Sequence, residues 1–361
     1  MKNIFRISVV VVLLLAVAVG NVYAGNDKRR GTAGATELLI NPWAHSSGWG
    51  NVSVANVRGL DAFYSNVAGI AFINKMEFAY TNTIYLGGKS GLRSGAGINA
   101  FGVAVRLFDR GVIAASVTAM GFGNIEVTTV ESPDAGANGT FSPSYMNINL
   151  AYAHSFTKSI HAGLNLKVVT EQTADIRGTG FAVDAGIQYV TGENDQLKFG
   201  MSLKNWGPAM TFRGVGHSFS YENAAGNDMT AEYRSASMEL PTCLNIGASY
   251  DFLIPAGEQR ITMAASFTSN AFLKDNITVG LEYSLFNIMQ LRGGYIFTFE
   301  KLTKATRTTA NTGLCAGASV DIPLTKKKAD GSMRPTLALE YSYRAAAPFK
   351  GSHSIGATIK F

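Results

Sequence analysis

Apolar and polar side chains alternate along most of the chain from Met76 onward. Between Phe181 and Tyr189 every odd-numbered residue is apolar, whereas Asp184 and Gln188 stand among the residues between them. Successive side chains of a β-strand point to opposite faces, so this period of two predicts a strand with two different faces. We find about 14 such segments, each close to the ~9 to 11 residues that cross a bilayer at a tilt. Their centres lie near Phe78, Val103, Val117, Ile148, Leu166, Ala185, Phe199, Ile246, Ala264, Leu281, Tyr295, Ala318, Leu339 and Ile355.

The connections between these segments alternate in length. Bacterial outer-membrane barrels have short periplasmic turns and longer outer loops. Here residues 123–144 and 207–239 form long loops. The short connections are residues 109–111, 157–159, 192–195, 255–258 and 287–288. Residues 273–276 and 325–333 break the trend, the first by being short and the second by being long. We therefore predict an all-β fold, a transmembrane antiparallel β-barrel of about 14 strands.

The composition agrees with strands rather than helices in a membrane. Of the 361 residues 47% are hydrophobic and 16% are charged, which excludes a disordered chain. Beyond the N-terminus no apolar run reaches the ~18 residues that a spanning helix needs, which excludes a helical membrane bundle. The net charge of +6 falls to +4 when Lys2 and Arg6 are removed with a signal peptide. That charge is too small to indicate nucleic-acid binding.

The first 24 residues have the parts of a secretory signal peptide. Lys2 and Arg6 precede an apolar run from Ile7 to Val19, and small residues follow at the positions that a signal peptidase reads. We expect cleavage between Ala24 and Gly25 and, with it, export through the inner membrane to the cell outer membrane. An uncleaved membrane anchor is the alternative.

The stretch of residues 31–71 breaks the alternating pattern and mixes glycines, apolar residues and turn formers. The stretch contains Leu38-Leu39-Ile40, Gly48-Trp49-Gly50, Val54-Ala55-Asn56, Asp61-Ala62 and Asn66-Val67-Ala68-Gly69-Ile70-Ala71. With these residues it resembles the opening of the PorV/PorQ family of Bacteroidota outer membranes, most clearly over residues 34–85. That family is similar in architecture to the FadL fatty-acid channels, which implies an N-terminal plug folded into the barrel lumen. We expect a signal peptide at 1–24, a plug or lead-in segment at 25–72 and the barrel at 73–361.

Three glycines and three polar residues of this segment are candidates for holding a plug in place. Glycine allows close backbone approach in a crowded lumen, and Asn or Asp side chains can satisfy buried polar groups. The family usually has Asn-Pro-Ala-Gly where this chain has Asn66-Val67-Ala68-Gly69, so the turn that proline makes rigid is missing. A glycine-rich periplasmic lead-in is the alternative. The candidates are Gly48, Gly50, Asn56, Asp61, Asn66 and Gly69.

The C-terminal residues continue the alternation, with apolar side chains at Ile355, Ala357, Ile359 and Phe361. This resembles the C-terminal strand that bacterial outer-membrane proteins present to their insertion machinery, which makes Phe361 a candidate insertion signal. A soluble β-sandwich is the alternative, but an apolar unpaired edge strand invites aggregation, and barrel closure removes the edge.

No motif for catalysis or cofactor binding is found in the sequence. The five histidines lack metal-ligand spacing, and Cys243 and Cys315 lie in strand segments without a CxxC pair. Residues 85–90 lack the first glycine of a phosphate loop. Inward acids such as Asp184 and Glu282 fit a polar lumen better than a catalytic carboxylate pair. We expect a protein that is not an enzyme and that binds no cofactor or metal.

The resemblance implies a component of the type IX protein secretion system. PorV-like barrels bind the C-terminal signal domains of secreted cargo and partner the type IX translocon and attachment proteins, surrounded by outer-membrane lipid and lipopolysaccharide. Aromatic residues of the two long loops are the candidates for partner binding, because loops carry binding residues and aromatic side chains dominate interfaces. A girdle at the membrane interface is their alternative role. The candidates are Phe141, Tyr145, Phe212, Phe219, Tyr221 and Tyr233.

Two other functions remain open from the sequence. One is a FadL-like channel for the uptake of hydrophobic small molecules, although inward positions such as Asn147, Gln188 and Glu340 are polar. The other is a structural barrel that anchors periplasmic secretion machinery through Lys28-Arg29-Arg30 and the turn at Lys326.

Overall fold

The structure, a computed structural model, describes residues 29–87, 96–130, 132–133, 139–254, 258–298, 309–325 and 334–361. The expected signal peptide with its cleavage site at Ala24 and Gly25 lies outside these residues. So do Lys28 and Lys326, two of the residues expected to dock periplasmic machinery.

In the described part of the chain, fourteen long strands form one closed antiparallel ring, which confirms the predicted fold class. Ring strands that follow each other in the chain pair with each other, and the last strand pairs with the first to close the ring. Each of the strand centres expected from the alternation lies within one of these strands. The ring strands are β1 (Met76–Tyr85), β2 (Ala96–Phe108), β3 (Gly111–Gly121), β6 (Ser144–Ser155), β7 (Ile160–Thr173), β8 (Ile176–Thr191), β9 (Leu197–Trp206), β13 (Cys243–Ile254), β14 (Gln259–Asn270), β15 (Asn276–Leu285), β16 (Met289–Thr298), β17 (Asn311–Pro323), β18 (Thr336–Ala346) and β19 (Ser352–Lys360).

The remaining strands lie in the two long loops. One loop carries β4 (Ile125–Glu126) paired with β5 (Thr140–Phe141). The other carries β10 (Phe212–Arg213), a short helix at Val215–His217, and the hairpin of β11 (Ser218–Glu222) and β12 (Asp228–Glu232). Both loops leave the same end of the ring, which we call the long-loop end; the opposite end, with turns such as 109–110 and 156–159, is the short-turn end.

The two faces of the ring differ as the alternation predicts. In β7 the outward Leu164 and Leu166 are each 57% exposed, whereas the inward Asn165 and Lys167 are 0% and 5% exposed. The outer face is therefore apolar and the inner face polar, the reverse of a water-soluble barrel with an apolar core. Among the described residues, no helix is both long and apolar enough to cross a membrane.

Residues 29–73, which we call the N-terminal segment, lie within the ring. Its helical turns contact inward residues of strands on several sides, and Trp43, Trp49, Leu60 and Ile70 are almost completely buried. Small inward residues of the first strands, alanines above all, pack against it and leave room for these large side chains. The helical turns are Thr36–Leu39, Ala44–Ser47, Ser53–Ala55, Ala62–Ser65 and Val67–Phe72.

Phe361 follows β19 beside the start of β1. Its backbone N–H donates to the Met76 carbonyl at 2.9 Å, and its ring meets Phe78 edge-on with 6.3 Å between centroids. The residue thus extends the closing pair of strands by one hydrogen bond. Its role as an insertion signal stays a prediction.

Candidate functional site

Glycines of the N-terminal segment and of the wall meet where the two approach most closely. A Cβ atom on Gly48 would lie 2.7 Å from the Cα of Gly317, and a Cβ atom on Gly163 would lie 2.8 Å from the Val67 carbonyl oxygen. Real Cβ atoms essentially never show contacts under 3.0 Å. The backbone of the segment therefore touches the backbone of the wall, with no layer of side chains between them.

The candidate glycines Gly50 and Gly69 serve the path of the segment itself. Gly50 has φ +69°, in the left-handed region that glycine adopts without strain. A Cβ atom on Gly69 would clash with the Val57 carbonyl, so glycine there lets two turns of the segment lie against each other.

Asn66 ties the segment to two strands of the wall. Its side-chain amide donates to the carbonyls of Val54 at 2.9 Å and Ile187 at 3.0 Å, and it lies 3.4 Å from the Met201 carbonyl. Its Oδ1 accepts from the backbone N–H of Ala68 at 3.2 Å, which starts the helical turn at Val67 without a proline. Asn66 is almost fully buried, so water does not reach these carbonyls. The side-chain amide supplies their hydrogen bonds instead.

The other two polar candidates behave differently from each other. Asp61 is buried and accepts from the backbone N–H of Ser46 at 2.7 Å, and burial raises its pKa. Asn56 leaves its Oδ1 buried without a hydrogen-bond partner among the described residues. Asp61 therefore satisfies a buried backbone N–H group, as a residue with the expected role would. The side-chain oxygen of Asn56 has no such hydrogen bond among the described residues.

Side chains of the wall also reach the segment. Gln188 donates from Nε2 to the Val57 carbonyl at 3.1 Å, and Ser202 donates to the Ser65 carbonyl at 2.9 Å. These polar inward residues therefore bind the segment rather than face an open aqueous channel.

Three buried acids of the lumen form ion pairs with buried cations. Lys167 lies 2.6 Å from Asp184, Lys198 pairs with Asp251, and Arg292 lies 2.7 Å from Glu282. A buried charge is tolerated when a partner and hydrogen bonds replace its water shell. Among the described residues, no group of three or more His, Cys, Asp or Glu side chains is placed to hold a metal ion.

A cavity of about 630 Å³ lies between the N-terminal segment and the wall near the long-loop end. This volume is within the roughly 300 to 1,000 Å³ of small-molecule sites. Apolar and aromatic side chains alternate with neutral polar ones around it, and Lys204 and Arg344 line it as well. Examples from the segment and from the wall are Ile40, Val54, Tyr64, Met120, Tyr145, Asn245, Thr278, Ile296 and Leu314.

Two of the aromatic candidates pack against the barrel: Tyr145 lies in a ring strand, and Phe212 lies in the second long loop as predicted. Tyr145 belongs to β6, and because it shares a face with the inward Asn147 and Asn149, it lines the cavity. Phe212 belongs to β10, which pairs with the long-loop end of β8, and it packs on the buried cluster around Met210. Strand β6 begins at Ser144, where the predicted loop ends, so Tyr145 belongs to the strand and not to the loop.

The remaining aromatic candidates do lie in the loops. Phe219 stacks on Tyr233 with 4.4 Å between ring centroids, and Tyr221 lies 6.0 Å from Phe219. All three are exposed on the hairpin of β11 and β12 or beside it. Phe141 pairs with Ile125 in the other long loop. Their role in binding a partner stays a prediction.

The sequence analysis did not single out Lys204, Arg344 or Tyr64 as site residues. The signal was present in part, because Lys204 shares an inward face with Ser202, and Arg344 with Ser342. Their common cavity follows only from the closed ring and the path of the segment.

No protein-family model matches the chain, and no curated protein sequence matches it. Solved structures do. The toluene transporter TodX of Pseudomonas putida is 11% identical, with 89% of this chain and 99% of TodX covered and a TM-score of 0.53. The monoaromatic hydrocarbon channel CymD is 11% identical, with 90% and 98% covered and a TM-score of 0.52. The Ralstonia pickettii toluene transporter TbuX is 13% identical, with 87% and 98% covered and a TM-score of 0.50. The chain therefore shares the barrel fold of these hydrocarbon transporters and channels.

Proposed function

We propose that the protein is an outer-membrane channel that takes up hydrophobic small molecules without covalent chemistry. The observation that carries the proposal is a closed ring with an apolar outer face that holds a ligand-sized cavity of about 630 Å³ beside its own N-terminal segment. The shared fold with a toluene transporter and a monoaromatic hydrocarbon channel supports it.

The N-terminal segment is the block in this channel. It contacts strands on several sides of the ring, and wall glycines bring its backbone against the wall. Passage from the cavity to the short-turn end therefore requires the segment to move, and the Asn66 and Gln188 hydrogen bonds oppose that movement.

The type IX secretion role and the PorV/PorQ membership have no support from the solved structures named above. Binding to the translocon, to secreted cargo or to lipopolysaccharide stays a prediction.

Uptake by whole cells tests the channel, because a plain lipid bilayer passes toluene without a protein. We would express the protein in a bacterium that lacks hydrophobic channels and measure the initial rate of uptake of radiolabelled toluene. A rate above that of cells without the protein supports the proposal, and an equal rate, with the barrel present and folded in the outer membrane, contradicts it.

A reversible crosslink tests the block. An ideal Cβ atom on Gly356 would lie 3.2 Å from the Ala44 Cβ, close to the roughly 3.5 to 4.5 Å of disulfides. We expect the variant Ala44→Cys/Gly356→Cys to lose uptake when oxidised and to regain it with reductant, whereas each single variant should respond to neither. Uptake that persists in the oxidised double variant would show that the segment does not need to move.

A further inference from the structure

A row of polar side chains crosses the outside of the ring at the long-loop end. Ser144 of β6 lies opposite Gln172 of β7. Arg177 of β8 lies opposite both Gln172 and Arg213 of β10. Residues directly opposite each other in antiparallel strands point to the same face of a sheet. We call these four residues the outer polar row.

The outer polar row points away from the lumen. Arg177 and Phe181 are an even number of residues apart in β8, so they share a face, and Phe181 is 59% exposed on the apolar outer surface. Phe212 points the other way, because it packs on the buried cluster around Met210. Arg213 is the next residue of the same strand and therefore points outward, as Arg177 does.

The apolar band of the outer face sets the level of the row. On β8 the outward apolar residues run from Tyr189 to Phe181, and on β7 from Ile160 to Val168. These eight residues rise about 26 Å along a strand, or about 20 Å along the membrane normal at a tilt near 40°, in a band that is about 25 Å tall in outer-membrane barrels. Arg177 stands four residues beyond Phe181, about 10 Å further along the normal. Its guanidinium is therefore at the level of the lipid headgroups.

Neither arginine has a partner in the described part of the chain. No carboxylate there lies within ion-pair distance of Arg177 or Arg213, and Asp175 in the neighbouring turn pairs with neither. The side chains of Gln172 and Ser144 likewise make no hydrogen bond to a described residue. Like charges directly opposite each other in a sheet destabilise it. The row is therefore arranged for an anion that bridges the two guanidinium groups.

We propose that the outer polar row binds a lipid of the outer leaflet whose headgroup carries a phosphate monoester. A guanidinium can donate to two phosphate oxygens at once, and a monoester carries close to two negative charges at neutral pH, which two arginines neutralise. The Gln172 amide and the Ser144 hydroxyl supply further donors beside them. The acyl chains then lie on the apolar band next to the row. This site is outside the ring, apart from the cavity, and does not depend on the proposed channel function.

Native mass spectrometry of the full-length protein in detergent tests the proposal. The probes share their acyl chains: dioleoyl phosphatidic acid is a monoester, dioleoyl phosphatidylglycerol is a diester, and dioleoyl phosphatidylcholine has no net charge. We expect the protein to bind phosphatidic acid at least about tenfold more tightly than phosphatidylcholine, with phosphatidylglycerol between them.

Inorganic phosphate separates a lipid site from a site for the free ion. At the same concentration it should not displace phosphatidic acid, because it lacks the acyl chains that contact the apolar band. Equal competition would show that the row binds free phosphate and would overturn the lipid assignment.

Variants assign the preference to the two arginines. In Arg177→Gln/Arg213→Gln the affinity for phosphatidic acid should fall to that for phosphatidylcholine, which should stay unchanged. Arg177→Lys/Arg213→Lys should keep only part of the preference, because lysine lacks the planar fork. The matched control, Lys75→Gln/Lys158→Gln, removes two exposed cations at the short-turn end and should change nothing. Heat-dependent migration on gels shows that each variant is folded.

Two results would overturn the site. One is equal binding of the three lipids by the unaltered protein, and the other is a preference for phosphatidic acid that survives in Arg177→Gln/Arg213→Gln or that the control variant loses to the same extent. Toluene uptake by that glutamine variant should equal the uptake by the unaltered protein, so the lipid site and the channel can fail separately.

Discussion

The contact between Gly294 and Trp49 allows a direct test of how tightly the N-terminal segment packs on the wall. A Cβ atom on Gly294 would lie 2.6 Å from the Trp49 carbonyl oxygen, about 0.8 Å short of ordinary contact near 3.4 Å. Both sides of this clash are backbone, so no side-chain rotation relieves it and the turn at Trp49 must shift. Overpacking of this kind costs about 1 to 3 kcal/mol. We expect Gly294→Ala to lower the free energy of unfolding by that amount.

The neighbouring residue supplies the control. Gly293 lies in the same strand on the outward face, and a Cβ atom there has nothing within 4 Å. Gly293→Ala should be neutral or raise stability by up to about 1 kcal/mol, because alanine loses less backbone entropy in a strand. Denaturant unfolding in detergent, followed by tryptophan fluorescence, measures both, since Trp43 and Trp49 are buried in the contact region. Equal free energies for the two variants would refute the tight packing of segment on wall.

Three further outcomes follow from the buried polar contacts. Asn66→Ala removes the donor to the Val54 and Ile187 carbonyls and should cost about 1 to 3 kcal/mol in the same unfolding assay; no loss would mean that these hydrogen bonds do not hold the segment. Lys167→Met leaves Asp184 buried without its cation and should cost about 3 to 5 kcal/mol, whereas Lys167→Met/Asp184→Leu should cost less than the sum of the single variants, and strict additivity would contradict the pairing. For Glu37, the folded pKa of about 9 exceeds the ordinary 4.5, so the folded state holds a proton that the unfolded state releases and stability should fall as pH rises between those values. Glu37→Gln should flatten that dependence, and an unchanged pH profile of the unfolding free energy would show that Glu37 does not cause it.

The ring was predictable from the sequence because its two faces have opposite polarity, apolar outside and polar inside. An outward residue such as Leu164 is apolar and an inward one such as Asn165 is polar, so every strand shows the period of two. Strand ends were less predictable. Tyr145 is an example. The glycines and serines before it indicate a loop, but it belongs to β6, where it pairs with Glu171 of β7.

The path of the N-terminal segment and the cavity were not predictable in detail. Asn66 reaches the carbonyl of Ile187, a residue 121 positions away, and nothing local to either residue signals that contact. Lys204 and Arg344 lie on strands that do not pair with each other, so only the closed ring brings them to one cavity. The resemblance to a family placed a segment inside a barrel, but it drew attention to the outer loops rather than to the cavity.

The enclosure of the N-terminal segment has a consequence for the order of assembly. The ring closes only when β19 pairs with β1, with Glu77 opposite Lys360. Buried residues of the segment such as Trp43 and Trp49 must either lie among the strands before closure or enter later through an open end of the ring. Entry through an open end would require these bulky side chains to pass the loops and the ion pairs of the lumen. The simpler order is that the nascent strands wrap around the segment, which then acts as an internal template and sets the circumference of its own enclosure. Because such contacts join residues far apart in sequence, closure is expected to be the slow step of folding.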